Sequence, residues 1–285
     1  MSTLSYFQNK VIWITGASSG IGEALAYACS QRGAKLVLSA RRQAELARVR
    51  SQCTRPDDHL VLPLDLADFD AAAATKQVLD TFGQIDILVN NGGISQRGAA
   101  VETGLDVDRR IMEINYFGAV ALTKAVLPAM IARQSGHIVT ISSLSGKIST
   151  PRRSAYAASK HALHGFFDAL RSEVYKDGVH VLLVCPGYVK TNLSLHALTG
   201  DGQTHGKLDP TQEKGITPEA LAVKILAAVE QGKDEVLAAK KCWPSILSDC
   251  GRGSIAALSA GAQLHKKEDG HSNSFGSTGS EGVGK

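Results

Sequence analysis

The stretch Val11-Ile-Trp-Ile-Thr15-Gly16-Ala-Ser-Ser-Gly20-Ile-Gly22 decides how the rest of the chain is read. Five apolar or β-branched residues make a short strand, and the glycines turn it into an Ala-rich helical pattern from Glu23 to Arg32. Gly33 is placed to end that helix, and Lys35 to Ala40 supplies a second apolar run. Strand, glycine turn, helix and strand is the setting in which such a turn receives a dinucleotide. The spacing is Gly-x-x-x-Gly-x-Gly, without the Gly-Lys-[Ser/Thr] that would make it a P-loop. The glycines allow close backbone approach, and the helix amino terminus then meets a pyrophosphate with free N–H groups and a positive dipole. Gly16, Ser18, Ser19, Gly20, Ile21 and Gly22 are the expected cradle.

Ser39-Ala40-Arg41-Arg42 follows the second strand. An acidic residue here would bind the adenosine ribose of NAD, but Ala40 stands in that place. Arg41 and Arg42 suit the 2′-phosphate of NADP, which a guanidinium grips in fork geometry. As first-turn residues of a helix they would face an unfavourable dipole, which argues for a ligand.

The alternation continues. Leu60 to Leu64 reads as a strand ending at Asp65-Leu66, Ala71 to Phe82 as a helix, and Ile85 to Asn90 as a strand ending in Asn91-Gly92-Gly93. Asp106 to Arg133 forms one long helical segment containing Asn115. His137 to Ile141 is a fifth strand, Ser154 to Lys176 a helix, and Val179 to Cys185 a sixth strand. Thr217-Pro218 caps a helix running to about Glu230, and Glu235 to Ala238 closes the pattern. Repeated strand–helix units predict an α/β doubly wound parallel sheet of Rossmann type with helices on both faces. Right-handed crossovers then gather the strand ends on one rim.

The chemistry falls between Thr140 and Lys160. Tyr156 and Lys160, four apart, share one helix face, and Ser143 lies thirteen residues before Tyr156 on the loop leaving a strand. A phenol titrates at about pH 10, too high to serve alone as an acid or base at neutrality. An ammonium at about 5 Å, in an effective dielectric of about 20, favours phenolate by about 3 kcal/mol. Lys160 is therefore expected to lower the Tyr156 pKa, while Ser143 hydrogen-bonds a substrate oxygen. Ser142 and Ser145 compete with Ser143, and the spacing to Tyr156 favours the last. His161, His164 and Asp168 have helical spacing for metal ligation but poor geometry for a third ligand, so no metal is expected. Arg152 and Arg153 border the site, where they could attract an acidic substrate, but a solvated loop is the favoured reading.

The 285 residues suffice for one large α/β domain, placed at 1–240 with a polar, Gly-containing substrate loop at 192–216. Residues 241–265 read as a C-terminal extension in which Trp243 to Leu264 could graze a membrane, and 266–285 as a disordered tail. The net charge of +4 is modest and no basic block resembles a nucleic-acid tract. No uncharged run reaches the ~18 apolar residues of a membrane span, and Met1 to Lys10 is too short and polar for a signal peptide. Five scattered cysteines without Cys-x-x-Cys spacing suit a reduced compartment. The expectation is a soluble cytoplasmic protein.

Together these residues resemble the short-chain dehydrogenase/reductase family. Thr15 to Gly22 matches its cofactor motif, and Asn90-Asn-Gly-Gly93 its Asn-Asn-Ala-Gly motif with Gly92 for alanine. Ser143, Tyr156 and Lys160 match its catalytic set, with Asn115 in Asn-Tyr-Phe-Gly as fourth member. Pro186-Gly-Tyr-Val-Lys-Thr191 matches a further cofactor segment, and the likeness spans roughly residues 9 to 238. Asn91 to Arg97, Ser154 to Ala162 and Thr199-Gly-Asp-Gly look like the member seven branch, its B form included. The resemblance implies NADP(H)-dependent interconversion of a carbonyl and an alcohol on a lipophilic small molecule such as a steroid, retinoid or lipid. It implies that Tyr156 moves the proton, Ser143 orients the oxygen, Lys160 holds the nicotinamide ribose, and Asn115 anchors a water in the proton path. Val189 and Thr191 would meet the nicotinamide, Asp65 and Leu66 the adenine, and Asn91 and Gly92 the body of the cofactor. A homodimer or homotetramer is implied too. The competing readings are a non-catalytic nucleotide sensor, an NAD-preferring enzyme, and a 3-oxoacyl or sphingoid ketoreductase.

Overall fold

A computed structural model describes residues 5–239; the predicted extension 241–265 and tail 266–285 lie outside the described residues. Seven strands form one parallel sheet in the order β3-β2-β1-β4-β5-β6-β7. They are β1 (Val11–Thr15), β2 (Lys35–Ser39), β3 (Leu60–Val61), β4 (Ile87–Asn90), β5 (Gly136–Ile141), β6 (Val179–Pro186) and β7 (Glu235–Ala238). The helices are α1 (Gly20–Gln31), α2 (Gln43–Gln52), α3 (Ala71–Phe82), α4 (Leu105–Met112), α5 (Gly118–Ala132), α6 (Ser154–Val174), α7 (Pro210–Glu213) and α8 (Pro218–Glu230).

The two-residue period of a strand sorts the core into two layers. Ile12 and Ile14 of β1 pack with Leu25, Leu221 and Ile225 on the α1/α8 face. Val11 and Trp13 point the other way, into Val78, Leu122, Val126 and Phe167 of α3, α5 and α6. Each such side chain, withdrawn from water, contributes about 1.5–3 kcal/mol. The Trp13 indole is fully buried and donates to Ser39 Oγ at 2.9 Å, so its one polar atom is satisfied.

Two elements differ from expectation. The strand predicted over 60–64 pairs only at Leu60 and Val61, because Pro63 has no N–H to give the ladder; Leu62 and Leu64 still donate to β2-side carbonyls. The long helix predicted from Asp106 is interrupted at Glu113–Phe117 by a π-turn that contains Asn115. By length and composition Leu105–Ala132 could cross a membrane, yet half of its most apolar window is buried inside the fold. Leu122, Val126 and Met130 are among the buried residues, which makes it a core helix of the sheet. The strand order reverses between β1 and β4, and the crevice there is where open α/β sheets take ligands.

Candidate active site

A cleft of about 690 Å³ opens at the carboxyl ends of β1, β4, β5 and β6. Its floor is the glycine turn. Gly16 and Gly20 have φ of +64° and +59°, a region that favours glycine. A methyl on Gly22 would sit 2.3 Å from the Gly16 carbonyl oxygen, so α1 is pressed against the turn as closely as backbone allows. Thr15, which the sequence reading left unassigned, is the bolt. Its Oγ1 donates to the Val89 carbonyl and accepts from the amides of Asn91 and Gly92. Asn91 Nδ2 returns a bond to the Thr15 carbonyl at 2.8 Å. A hydroxyl ending β1 was the available signal. At Gly92 an alanine methyl would meet Leu66 Cδ1 at 2.4 Å, so Leu66 occupies the room the missing methyl leaves.

Ser18, Ser19, Gly20 and Ile21 line the cleft, as do Ala40, Arg41, Arg42, Asp65 and Leu66. Arg42 donates to Ser18 Oγ at 3.2 Å, which folds the second strand's end back over the turn. Asp65 accepts from Ala67 N and pairs with Arg110 at 3.6 Å. Val189 and Thr191 line the opposite wall. The cradle fits a dinucleotide, with closely approached backbone at the glycine turn and Ala40, Arg41 and Arg42 lining the far end of the cleft.

Ser143, Tyr156 and Lys160 converge on the same cleft. Ser143 Oγ accepts from Ser145 N at 3.0 Å, which leaves its own proton to give. Ser142 is turned away, its hydroxyl donating to the Lys160 carbonyl beside His164 Nε2. Tyr156 is buried, and burial raises its pKa; the Ser143 hydrogen bond and the charges of Arg153 and Arg97 pull it down. Lys160 stands one turn along α6 from the phenol. Its Nζ lies 5.8 Å from the ring centroid and donates to the Ile141 carbonyl at 2.9 Å, and burial brings its own pKa to about 8. Arg153, expected as a solvated loop residue, is only 16% exposed and pairs with Asp209 at 3.1 Å.

Asn115 is buried with both ends of its amide in use: Oδ1 accepts from Ile94 N, and Nδ2 donates to Ile94 O and Ser159 Oγ. A methyl on Gly93 would lie within 4 Å of both Asn115 Oδ1 and Lys160 Nζ, so the two groups flank one spot. His161, His164 and Asp168 are not brought together. His161 bonds to the Ala157 carbonyl, His164 to Ser142, and Asp168 to Arg171. His164 instead faces Cys185 and Glu235, but Lys147 holds that carboxylate at 2.6 Å and burial pushes the Cys185 thiol up to about 12.

Fold and site define a nucleotide-dependent oxidoreductase of the Rossmann type. Residues 10–199 match the family model for short chain dehydrogenases. A dehydrogenase/reductase SDR family protein 7-like of Anopheles gambiae is 51% identical over 243 residues, covering 82% of this chain and 76% of that protein. A short-chain dehydrogenase from Streptomyces avermitilis superposes with a TM-score of 0.75 at 30% identity, covering 93% of this chain and 99% of that one. The closed form of a serine dehydrogenase complexed with NADP+ gives 0.70 at 26%, covering 81% and 94%. The chain belongs to the short-chain dehydrogenase/reductase family, enzymes that act on CH–OH groups with NAD or NADP.

Proposed function

We propose that this enzyme is an NADP(H)-dependent reductase or dehydrogenase interconverting a carbonyl and an alcohol on a lipophilic small molecule. The observation that carries the reading is the meeting of Ser143, Tyr156 and Lys160 with the glycine cradle around one cleft. Arg41 and Arg42 line its ribose end and Ala40 offers no carboxylate, which favours NADP over NAD. The serine dehydrogenase neighbour, solved with NADP+, is consistent with that choice. Ile94, Val107, Leu193 and Leu198 give the substrate end an apolar lining.

When bound, the nicotinamide supplies or accepts the hydride at the substrate carbon. Tyr156 then gives its phenolic proton to the oxygen in reduction and takes it back in oxidation. Ser143 donates a hydrogen bond to that oxygen and polarises it. Lys160 would hold the ribose hydroxyls of the bound nucleotide, and Asn115, beside it, would anchor a water that returns the proton to solvent. Exposed Leu105 and Phe117 on the long helix mark a face for pairing two copies, read by the mass in solution.

The test is a binding titration with NADPH and NADH, followed by turnover on ketones, aldehydes, steroids and retinoids. NADPH should bind the more tightly and support reduction. Absence of NADPH- or NADP-linked turnover across that range would defeat the reading.

A further inference from the structure

The 192–216 segment brings to the cleft a buried polar group that neither the hydride nor the proton step uses. Of the polar side chains it adds to the cleft wall, Asn192, His196 and Thr204 are exposed, where water serves them. Gln212, on α7, lines the same cleft yet is only 7% exposed. The two ends of its amide differ. Oε1 accepts from Ser194 N at 3.3 Å, which fixes the carbonyl end, since a backbone N–H can only donate. Nε2 meets no acceptor among the described residues. The side-chain atoms there that are sealed from solvent without a partner are Thr75 Oγ1, Asn90 Oδ1 and His164 Nδ1, so the Gln212 nitrogen is not walled in and opens onto the cleft. The frame around it is built. Gln212 N donates to the Asp209 carbonyl, Asp209 N to Ser194 Oγ at 3.0 Å, and the N–H of fully buried Ser194 closes the ring on Gln212 Oε1. Asp209 Oδ1 caps α7, while its Oδ2 accepts from Arg97 at 3.2 Å and Arg153 at 3.1 Å. Arg97 stands on the loop after β4 and Arg153 precedes α6, so the amide is braced from two walls.

We propose that Gln212 is a substrate-binding residue that donates through Nε2 to a second oxygen of the substrate, a hydroxyl, ketone or ester carbonyl other than the reacting one. This deepens the carbonyl–alcohol reading above and rests on it. The chemistry selects the class. An amide N–H asks for an acceptor oxygen and, being uncharged, needs no anion. Leu193, Leu198, Ile94 and Val107 give the same cleft an apolar wall. The substrate is therefore a lipophilic molecule with oxygen functions at two positions, one met by Ser143 and Tyr156 and the other by Gln212. A molecule that carries the reacting oxygen alone leaves the amide donors facing hydrocarbon. That unmade bond is what discriminates against it. Ser194 and Asp209 act through Gln212 and are positioning residues.

The experiment is calorimetric binding of 2-decanone, and of decanediones that place a second carbonyl progressively farther along the same chain, to the protein saturated with NADP+. The quantity read is the ratio of dione to monoketone affinity, which cancels whatever affects both. Gln212→Met, of like length but without donors, should lower that ratio by about tenfold for the dione whose spacing fits. Gln212→Glu keeps the oxygen that accepts from Ser194 N and should lower it at least as far, because it turns an acceptor towards the ligand's own oxygen. A ratio unmoved for every dione, with only the melting temperature reduced, would make Gln212 a brace of its segment and overturn the proposal. A loss confined to NADP+ affinity would put the amide on the cofactor and overturn it too, as would failure of all the ketones to bind the parent protein. The titration needs no turnover. A shifted ratio without NADPH-linked reduction strikes the proposed function alone, and reduction with an unmoved ratio strikes this inference alone.

Discussion

The turn after β1 and the 192–216 segment line one cleft from opposite sides, the first through tightly fitted glycine backbone and the second through bonds to neighbouring loops and an ion cluster. In the turn, positive φ, a 2.3 Å clearance at Gly22 and the Thr15 hydroxyl leave no room for substitution. The covering segment has a different construction. Leu198 exchanges backbone bonds with Ser95 and Arg97, Thr199 and Ala197 form a small ribbon with Gln203 and His205, and Gly104 donates to the Gly200 carbonyl. Ile216 exchanges backbone bonds with Tyr188 and Lys190, and a pair of arginines grips Asp209 through side chains. A site that binds one invariant cofactor and one variable substrate has use for both constructions.

The largest effect is expected where the two sides meet. Tyr156→Phe keeps the ring's packing and removes the proton, so turnover should fall by about 10²–10⁴-fold. Nucleotide affinity, measured by fluorescence titration, should change little. A comparable loss of affinity would mean that Tyr156 belongs to the floor alone.

Next comes the floor. Gly22→Ala places a methyl against the Gly16 carbonyl, so the turn or α1 must shift; overpacking of this kind costs about 1–3 kcal/mol. The melting temperature should drop and nucleotide binding weaken together, because one piece of backbone serves both. Binding lost with an unchanged melting temperature would separate what the geometry joins.

The floor was also the legible side. Glycines between a strand and a helix carry their geometry in their spacing, and Tyr156 and Lys160 are neighbours because a helix makes them so. Interactions within a few residues of chain, or set by the repeat of strand and helix, are written locally. The arginine–aspartate cluster is not: Arg97 and Asp209 are 112 residues apart. Asp209 before Pro210 reads as an ordinary helix cap, which it also is. The Ile141 carbonyl that engages Lys160, and the loops that bring the guanidiniums, are products of tertiary packing.

A smaller effect should follow from exchanging the nucleotide's marker on the floor. Ala40→Asp with Arg41→Ala introduces a carboxylate where a ribose phosphate would sit and removes a cation from the cleft. The ratio of NADPH to NADH affinity should fall by about tenfold or more, equivalent to about 1.4 kcal/mol, without loss of melting temperature. Unchanged NADPH affinity would show that Arg41 is solvated and that Arg42, already bonded to Ser18, carries any phosphate alone.

The smallest expected effect tests the covering side by itself. Arg97→Met removes one of the two guanidiniums on Asp209 and leaves the backbone bonds of Leu198 and Gly200 in place. An ion pair that keeps some contact with water contributes up to about 1 kcal/mol, which is about fivefold in a local opening equilibrium. Hydrogen exchange of the amides of Leu198, Thr199 and His205 should therefore quicken by about that factor. Those of Ile12 and Ile14 in β1 open only with the whole sheet and should not move. If the β1 amides quicken equally, the ion cluster is part of the global fold and the division between floor and cover fails. If only the cover loosens, the segment answers to its own small set of side chains, as a part that must release substrate while the cofactor stays seated would have to.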